Sequence, residues 1–89
     1  MIEQTIEIVN RLGLHARAAA KLVHLAGTFR SRVTIEVDGE EVDAKSILGI
    51  LLLAAGVGTT VIVRATGDDE AAAITGIVQL FADKFGEGE

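Results

Sequence analysis

The sequence predicts an α+β fold: an open-faced two-layer βαββαβα sandwich, with a four-stranded antiparallel sheet covered on one face by three helices. Three observations carry this expectation. Short alternating segments rich in β-branched residues are interspersed with Ala- and Leu-rich segments of helical spacing. An Asp38-Gly39 dipeptide joins two of the alternating segments as a tight hairpin. The chain has only 89 residues, 49% of them apolar, and at this length a fold buries only about 60–65% of its unfolded surface. One thin core, and one domain over residues 1–89, is the consequence.

The elements follow in order. Residues 5–9 alternate Ile6 and Ile8 with Glu7, as a strand with one wet face does. After a turn at Leu12-Gly13-Leu14, residues 15–27 are Ala-rich, place Ala19, Leu22, Val23 and Ala26 on one face, and close on Gly27, which predicts a helix. Residues 32–37 alternate Val33, Ile35 and Val37 with Thr34 and Glu36, and residues 40–43 pair back across the Asp-Gly turn. Ser46 stands where an N-cap belongs, ahead of a short helix over residues 47–55 that Gly56 is placed to end. Residues 59–66 form the fourth strand, with Val61, Val63 and Ala65 on one face and Thr60, Ile62 and Arg64 on the other. Asp68, Asp69 and Glu70 suit the positive end of a helix dipole, and Ile74, Ile77, Val78, Phe81 and Phe85 recur at helical spacing in a long last helix.

Composition narrows the function. Thirteen acidic residues against eight basic ones give a formal charge of −5, which argues against nonspecific nucleic-acid binding, since that depends on Lys and Arg neutralising phosphates. Phe29, Phe81 and Phe85 are too scattered for base stacking. The absence of Cys removes disulfide frameworks and thiolate metal sites, and a reducing cytoplasm is permitted. Glu3 and Glu7 stand where a signal peptide would carry positive charge, so the first residues are expected to belong to the mature protein. The longest run without charged or polar side chains, residues 47–58, is about half of the ~20 residues a membrane helix requires. Protein partners and small anions remain.

Of the two histidines, His15 is the sharper candidate because it opens the Ala-rich helix. Unpaired first-turn amides, here of residues such as Ala16 and Arg17, form an anion cradle at the positive end of the dipole, and the Arg17 guanidinium adds a fixed positive charge. A phosphoryl group on the ring would be stabilised by both. Taken alone, His-x-Arg is a weak signal that reads first as a surface histidine acting as a modest cap; its combination with Gly13, the helix start and a second helix start at Ser46 is what points to an anion site. His24, nine residues later, is half a turn out of phase at about 100° per residue, so the two rings should not share a metal.

Ser46 is an N-cap first, but a phosphate on its hydroxyl would suit the helix dipole and add about −1.5 to −2 charge to a nearby docking surface. The run Ile47 to Leu53 holds more apolar residues than one face of a short helix can bury. Ile50 and Leu53 suit the inward face; Ile47, Leu48 and Leu51 are the candidates for an exposed partner patch, with Leu14 beside His15. Glu40-Glu41 and Asp68-Asp69 read as turn and helix-start residues, and Gly56-Val57-Gly58 lacks the Gly-Lys-Ser/Thr ending of a phosphate loop. No metal site and no cofactor are expected.

Gly13-Leu14-His15-Ala16-Arg17, Lys45-Ser46-Ile47-Leu48-Gly49 and Gly67-Asp68-Asp69-Glu70-Ala71 together closely resemble the HPr family of histidine-containing phosphocarriers of the bacterial phosphoenolpyruvate-dependent phosphotransferase system. The resemblance runs over nearly the whole chain and implies the open-faced sandwich. It also implies that His15 takes a phosphoryl group on Nδ1 from phosphorylated enzyme I and passes it to an enzyme IIA domain, with Arg17 steadying the group. In members that are substrates of the HPr kinase/phosphorylase, the serine matching Ser46 is phosphorylated from ATP and carrier function falls. A cytoplasmic monomer, inserted in no membrane and bound to no nucleic acid, is the matching expectation. Ala18 departs from the family's usual proline just inside the helix, a position where alanine is also a good helix former.

Gln4-Thr5 and Ala65-Thr66-Gly67 are also similar to NPr, the nitrogen-branch paralogue, so the sugar and nitrogen branches both stay open. A protein-docking regulatory module of the nitrogen branch, without sugar transport, is the alternative function. A small histidine-dependent hydrolase is a third, disfavoured because so thin a domain rarely encloses a water-excluding site.

Overall fold

The computed structural model describes residues 1–86. Its elements are β1 (Ile2–Glu7), α1 (Ala16–Gly27), β2 (Arg32–Val37), β3 (Glu40–Asp43), α2 (Ile47–Leu52), β4 (Thr60–Thr66) and α3 (Glu70–Ala82), followed by a 3₁₀ turn (Lys84–Gly86). The four strands form one antiparallel sheet in the order β1-β4-β2-β3. This is the expected βαββαβα open-faced sandwich.

Alternation decides which side chains meet the helices. Val33, Ile35, Val61, Val63 and Ala65 are fully buried on the inner face, against Leu22 and Ala26 of α1 and Ile77 and Phe81 of α3, which belong to the same core. The outer face has no helix over it and is polar. There Glu36 of β2 lies directly opposite Glu41 of β3, a like-charge pairing that weakens a ladder unless compensated. Arg64 of the central strand β4 compensates it, bonding Glu36 at 2.6 Å, Glu41 at 3.0 Å and Glu3 of β1 at 2.8 Å. The Thr34 hydroxyl, donating to Glu41 at 2.7 Å, and then Arg64 hold the Glu41 carboxyl below its ordinary value.

Several details differ from the sequence expectation. The first strand begins at Ile2 and ends at Glu7 because its extent is set by pairing with β4, from Ile2 opposite Ala65 to Glu7 opposite Thr60. The second helix ends at Leu52, and Ala54, not Gly56, takes the left-handed backbone after it, with φ 51°. Phe85 is not on the last helix. That helix stops at Ala82, Lys84 and Phe85 turn left-handed, and the Phe85 ring folds back edge-on to Phe81 with centroids 4.9 Å apart. Asp69 precedes α3 but makes no side-chain cap; its carboxylate instead binds the loop before β2, while Glu70 accepts the Gly67 amide at 3.1 Å. Asp38 and Gly39 both take positive φ, as a type I′ hairpin requires.

Candidate functional site

The site starts with a tight loop between β1 and α1. The Asn10 carbonyl accepts the Gly13 amide at 3.1 Å, and the buried Asn10 side chain donates back to the Gly13 carbonyl at 2.8 Å. Gly13 has φ +66°, and a Cβ there would lie 2.6 Å from the Ala55 carbonyl oxygen. Only glycine allows that approach. The Leu14 amide then donates to the same Ala55 oxygen at 2.9 Å. Leu14 itself is 4% exposed, which corrects its assignment to the partner patch: an apolar side chain pinned by its amide against the core anchors the loop and offers a partner almost no surface.

His15 follows as the N-cap of α1, with φ −75° and ψ 179°, and its carbonyl receives the first helical bond, from Ala19 at 2.8 Å. This extended cap geometry turns the ring back over the first turn, where Nδ1 accepts the Arg17 amide at 3.3 Å. A nitrogen that accepts a hydrogen bond presents its lone pair there, which places the ring's proton on Nε2. His15 is half-buried; Ala16 and Arg17 are exposed beside it. The structure thus sets His15 Nδ1 against a first-turn amide, with Ala16 and Arg17 following in the same turn. His24 lies exposed in the last turn of α1. Among the described residues, no group of three or more His, Cys, Asp or Glu could hold a metal ion.

Ser46 caps α2, its hydroxyl accepting the Gly49 amide at 3.2 Å. The Asp43 carboxylate fixes the preceding turn by accepting the Lys45 amide at 2.9 Å. Ile50 points into the core, whereas Ile47, Leu48 and Leu51 are exposed, Leu48 at 64%. Leu52 is exposed at 69%, with Leu12 and Val57 also in water. These three escaped the sequence expectation. Leu52 lies one turn after Leu48 and shares its outward face, and Leu12 and Val57 flank the two backbones that meet at Gly13 and Ala55. Asn10 was missed as well; an asparagine three residues before a turn glycine is the signal that finds it.

Known proteins extend this picture. The chain matches the family described as PTS HPr component phosphorylation site over residues 2–83. It is 51% identical over 89 residues to the phosphocarrier protein HPr of Cupriavidus necator, covering all of both chains. The crystal structure of HPr-C-His from Thermoanaerobacter tengcongensis superposes with a TM-score of 0.95 at 49% identity, covering 98% of each chain. The HPr dimer from the same organism gives 0.79 at 49% identity, over 98% of this chain and 100% of that one. An open-faced sandwich with a histidine capping its first helix, matched along its whole length by such proteins, belongs to the HPr family of phosphocarriers of the phosphotransferase system.

Proposed function

We propose that His15 is the residue that carries the phosphoryl group, taking it on Nδ1 from phosphorylated enzyme I and giving it to an enzyme IIA domain. The observation that carries this reading is the Arg17 amide bonded to Nδ1 at 3.3 Å. That bond is long for a backbone amide, so it yields readily to a better acceptor. As the Nδ1 lone pair forms the N–P bond, the donor's bond to phosphorus breaks and its electron pair returns to the donor; Nε2 keeps its proton. The Arg17 amide then turns to a phosphoryl oxygen, and the helix dipole and guanidinium hold the new negative charge. Passing the group on is the same step reversed toward an acceptor.

The chain works as a relay without turnover of its own: it offers a nucleophile on an open surface and needs partners to complete the reaction. Ile47, Leu48 and Leu51, joined by Leu52, supply the apolar docking surface beside the loop. Phosphorylation of Ser46 by an HPr kinase/phosphorylase would put a dianion at the edge of that surface and weaken docking of acidic partners. The setting is the cytoplasm, and among the described residues no helix is long and apolar enough to cross a membrane. The monomer is the working form in this reading, and because a relative forms a dimer, sedimentation of the carrier is the check on it.

Incubation with phosphoenolpyruvate and enzyme I should give an acid-labile, alkali-stable adduct on the protein. His15→Ala should abolish it. Labelling of His15→Ala equal to wild type sinks the assignment.

A further inference from the structure

We infer that the α2–β4 junction, through the left-handed backbone of Ala54 and the carbonyl of Ala55, positions the His15 ring for phosphoryl acceptance; the inference rests on His15 being the acceptor. Three observations converge. The Ala55 carbonyl holds the amide of Leu14, the residue next to His15, at 2.9 Å. Gly13 lies so close to the junction that a Cβ would fall 2.6 Å from the Ala55 oxygen and 2.8 Å from the Gly56 Cα, so the two backbones are in direct contact. Ala54 takes φ 51°, a region that costs a residue with a Cβ energy and persists only where its surroundings over-determine it.

The geometry explains why the chain holds that conformation. Turning left-handed at Ala54 carries the chain off the axis of α2, and the next carbonyl, that of Ala55, faces the loop and accepts the Leu14 amide. The other end of the loop is tied to the same connection, because the Ile8 carbonyl accepts the Gly58 amide at 2.8 Å and the Ile8 amide donates to Thr59 at 2.9 Å. Both ends of the His15 loop are therefore fastened to one segment. The extended backbone of His15, on which the Nδ1 contact with Arg17 depends, is fixed from outside its own helix. Ala54 and Ala55 touch neither the ring nor a phosphoryl group, so they are positioning residues.

The direct test replaces Leu14 by leucic acid in the full chain, which deletes the donated N–H and keeps the side chain. Gly13→Ala is the second variant, and Ile77→Val, which trims a fully buried core side chain on α3, shows what a loss of stability alone does. Apparent kcat and KM for acceptance from phosphorylated enzyme I, the Nδ1 15N chemical shift of His15, and thermal melting are read for each. The ester and Gly13→Ala should lower kcat about tenfold or more, keep KM for the donor within about twofold because the docking patch is untouched, and move the ring shift. Ile77→Val should lower only the melting temperature. A folded ester variant with wild-type kcat and wild-type ring shift overturns the inference, and that variant decides the matter if Gly13→Ala fails to fold. Should His15 prove not to accept phosphate, the ring shift still tests the junction without any donor: a displaced shift supports it and an unmoved one removes it.

Discussion

The Asp69 carboxylate takes both the amide and the hydroxyl of Ser31, at 2.9 and 2.5 Å, and the Arg30 amide as well at 2.9 Å. One side chain at the start of α3 thus ties the last helix to the connection between α1 and β2. The Ser31 hydroxyl above all, and then the Arg30 amide, draw its pKa from 3.8 down to about 2.

A lowered carboxyl contributes stability that is complete above the unfolded value and lost as pH falls through the folded one. The Asp69 contribution should therefore be constant above about pH 5, begin to shrink near 3.8 and vanish below about 2. Melting temperatures of wild type and Asp69→Asn across this range should converge only at the acid end. A gap that stays constant down to pH 2 contradicts the clamp.

Ser46 separates capping from charge. Ser46→Ala removes the acceptor of the Gly49 amide and should cost about 1 kcal/mol in urea denaturation. Ser46→Asp keeps a capping oxygen and should stay within about 0.5 kcal/mol of wild type, while slowing phosphoryl acceptance. If Ser46→Asp accepts phosphate at the wild-type rate, the charge at that position does not regulate docking.

Neighbouring leucines should behave in opposite ways. Leu48→Ser and Leu52→Ser, both on exposed side chains, should leave stability within about 0.5 kcal/mol and weaken binding of enzyme I in calorimetric titrations. Leu14→Ala, at a buried site, should cost about 2–5 kcal/mol. Wild-type binding by the Leu48→Ser, Leu52→Ser double variant would place the docking surface elsewhere.

The C-terminal hook belongs to the core. Phe85 is 1% exposed against Phe81, and the Lys21 ammonium donates to its carbonyl at 2.6 Å. Phe85→Ala should cost about 3–5 kcal/mol by chemical denaturation. A loss under 1 kcal/mol would show that the hook is dispensable.

Periodicity and short-range chemistry determined most of the architecture. Alternation in Val33-Thr34-Ile35 and Val61-Ile62-Val63 assigned the inner face of the sheet, because successive strand side chains point to opposite sides. Asp38-Gly39, Ser46 and His15 marked a turn and two helix starts through bonds that span only a few residues. The residues of the candidate site were legible for the same reason: His15, Ala16 and Arg17 are consecutive, and the amide that meets Nδ1 is two residues away.

Whatever depends on a contact between distant segments had to come from the tertiary structure. Pairing with β4 set the span of β1, and the Ala55 carbonyl, bonded to the Leu14 amide, fastens the loop on which Leu14 is buried. Ser31 turned Asp69 away from its own helix, and Phe85, off the helical stripe, is tied by its carbonyl to Lys21 of α1. In each case a local preference lost to burial or to a hydrogen bond across at least 38 residues, interactions that leave no trace in the spacing of neighbouring side chains.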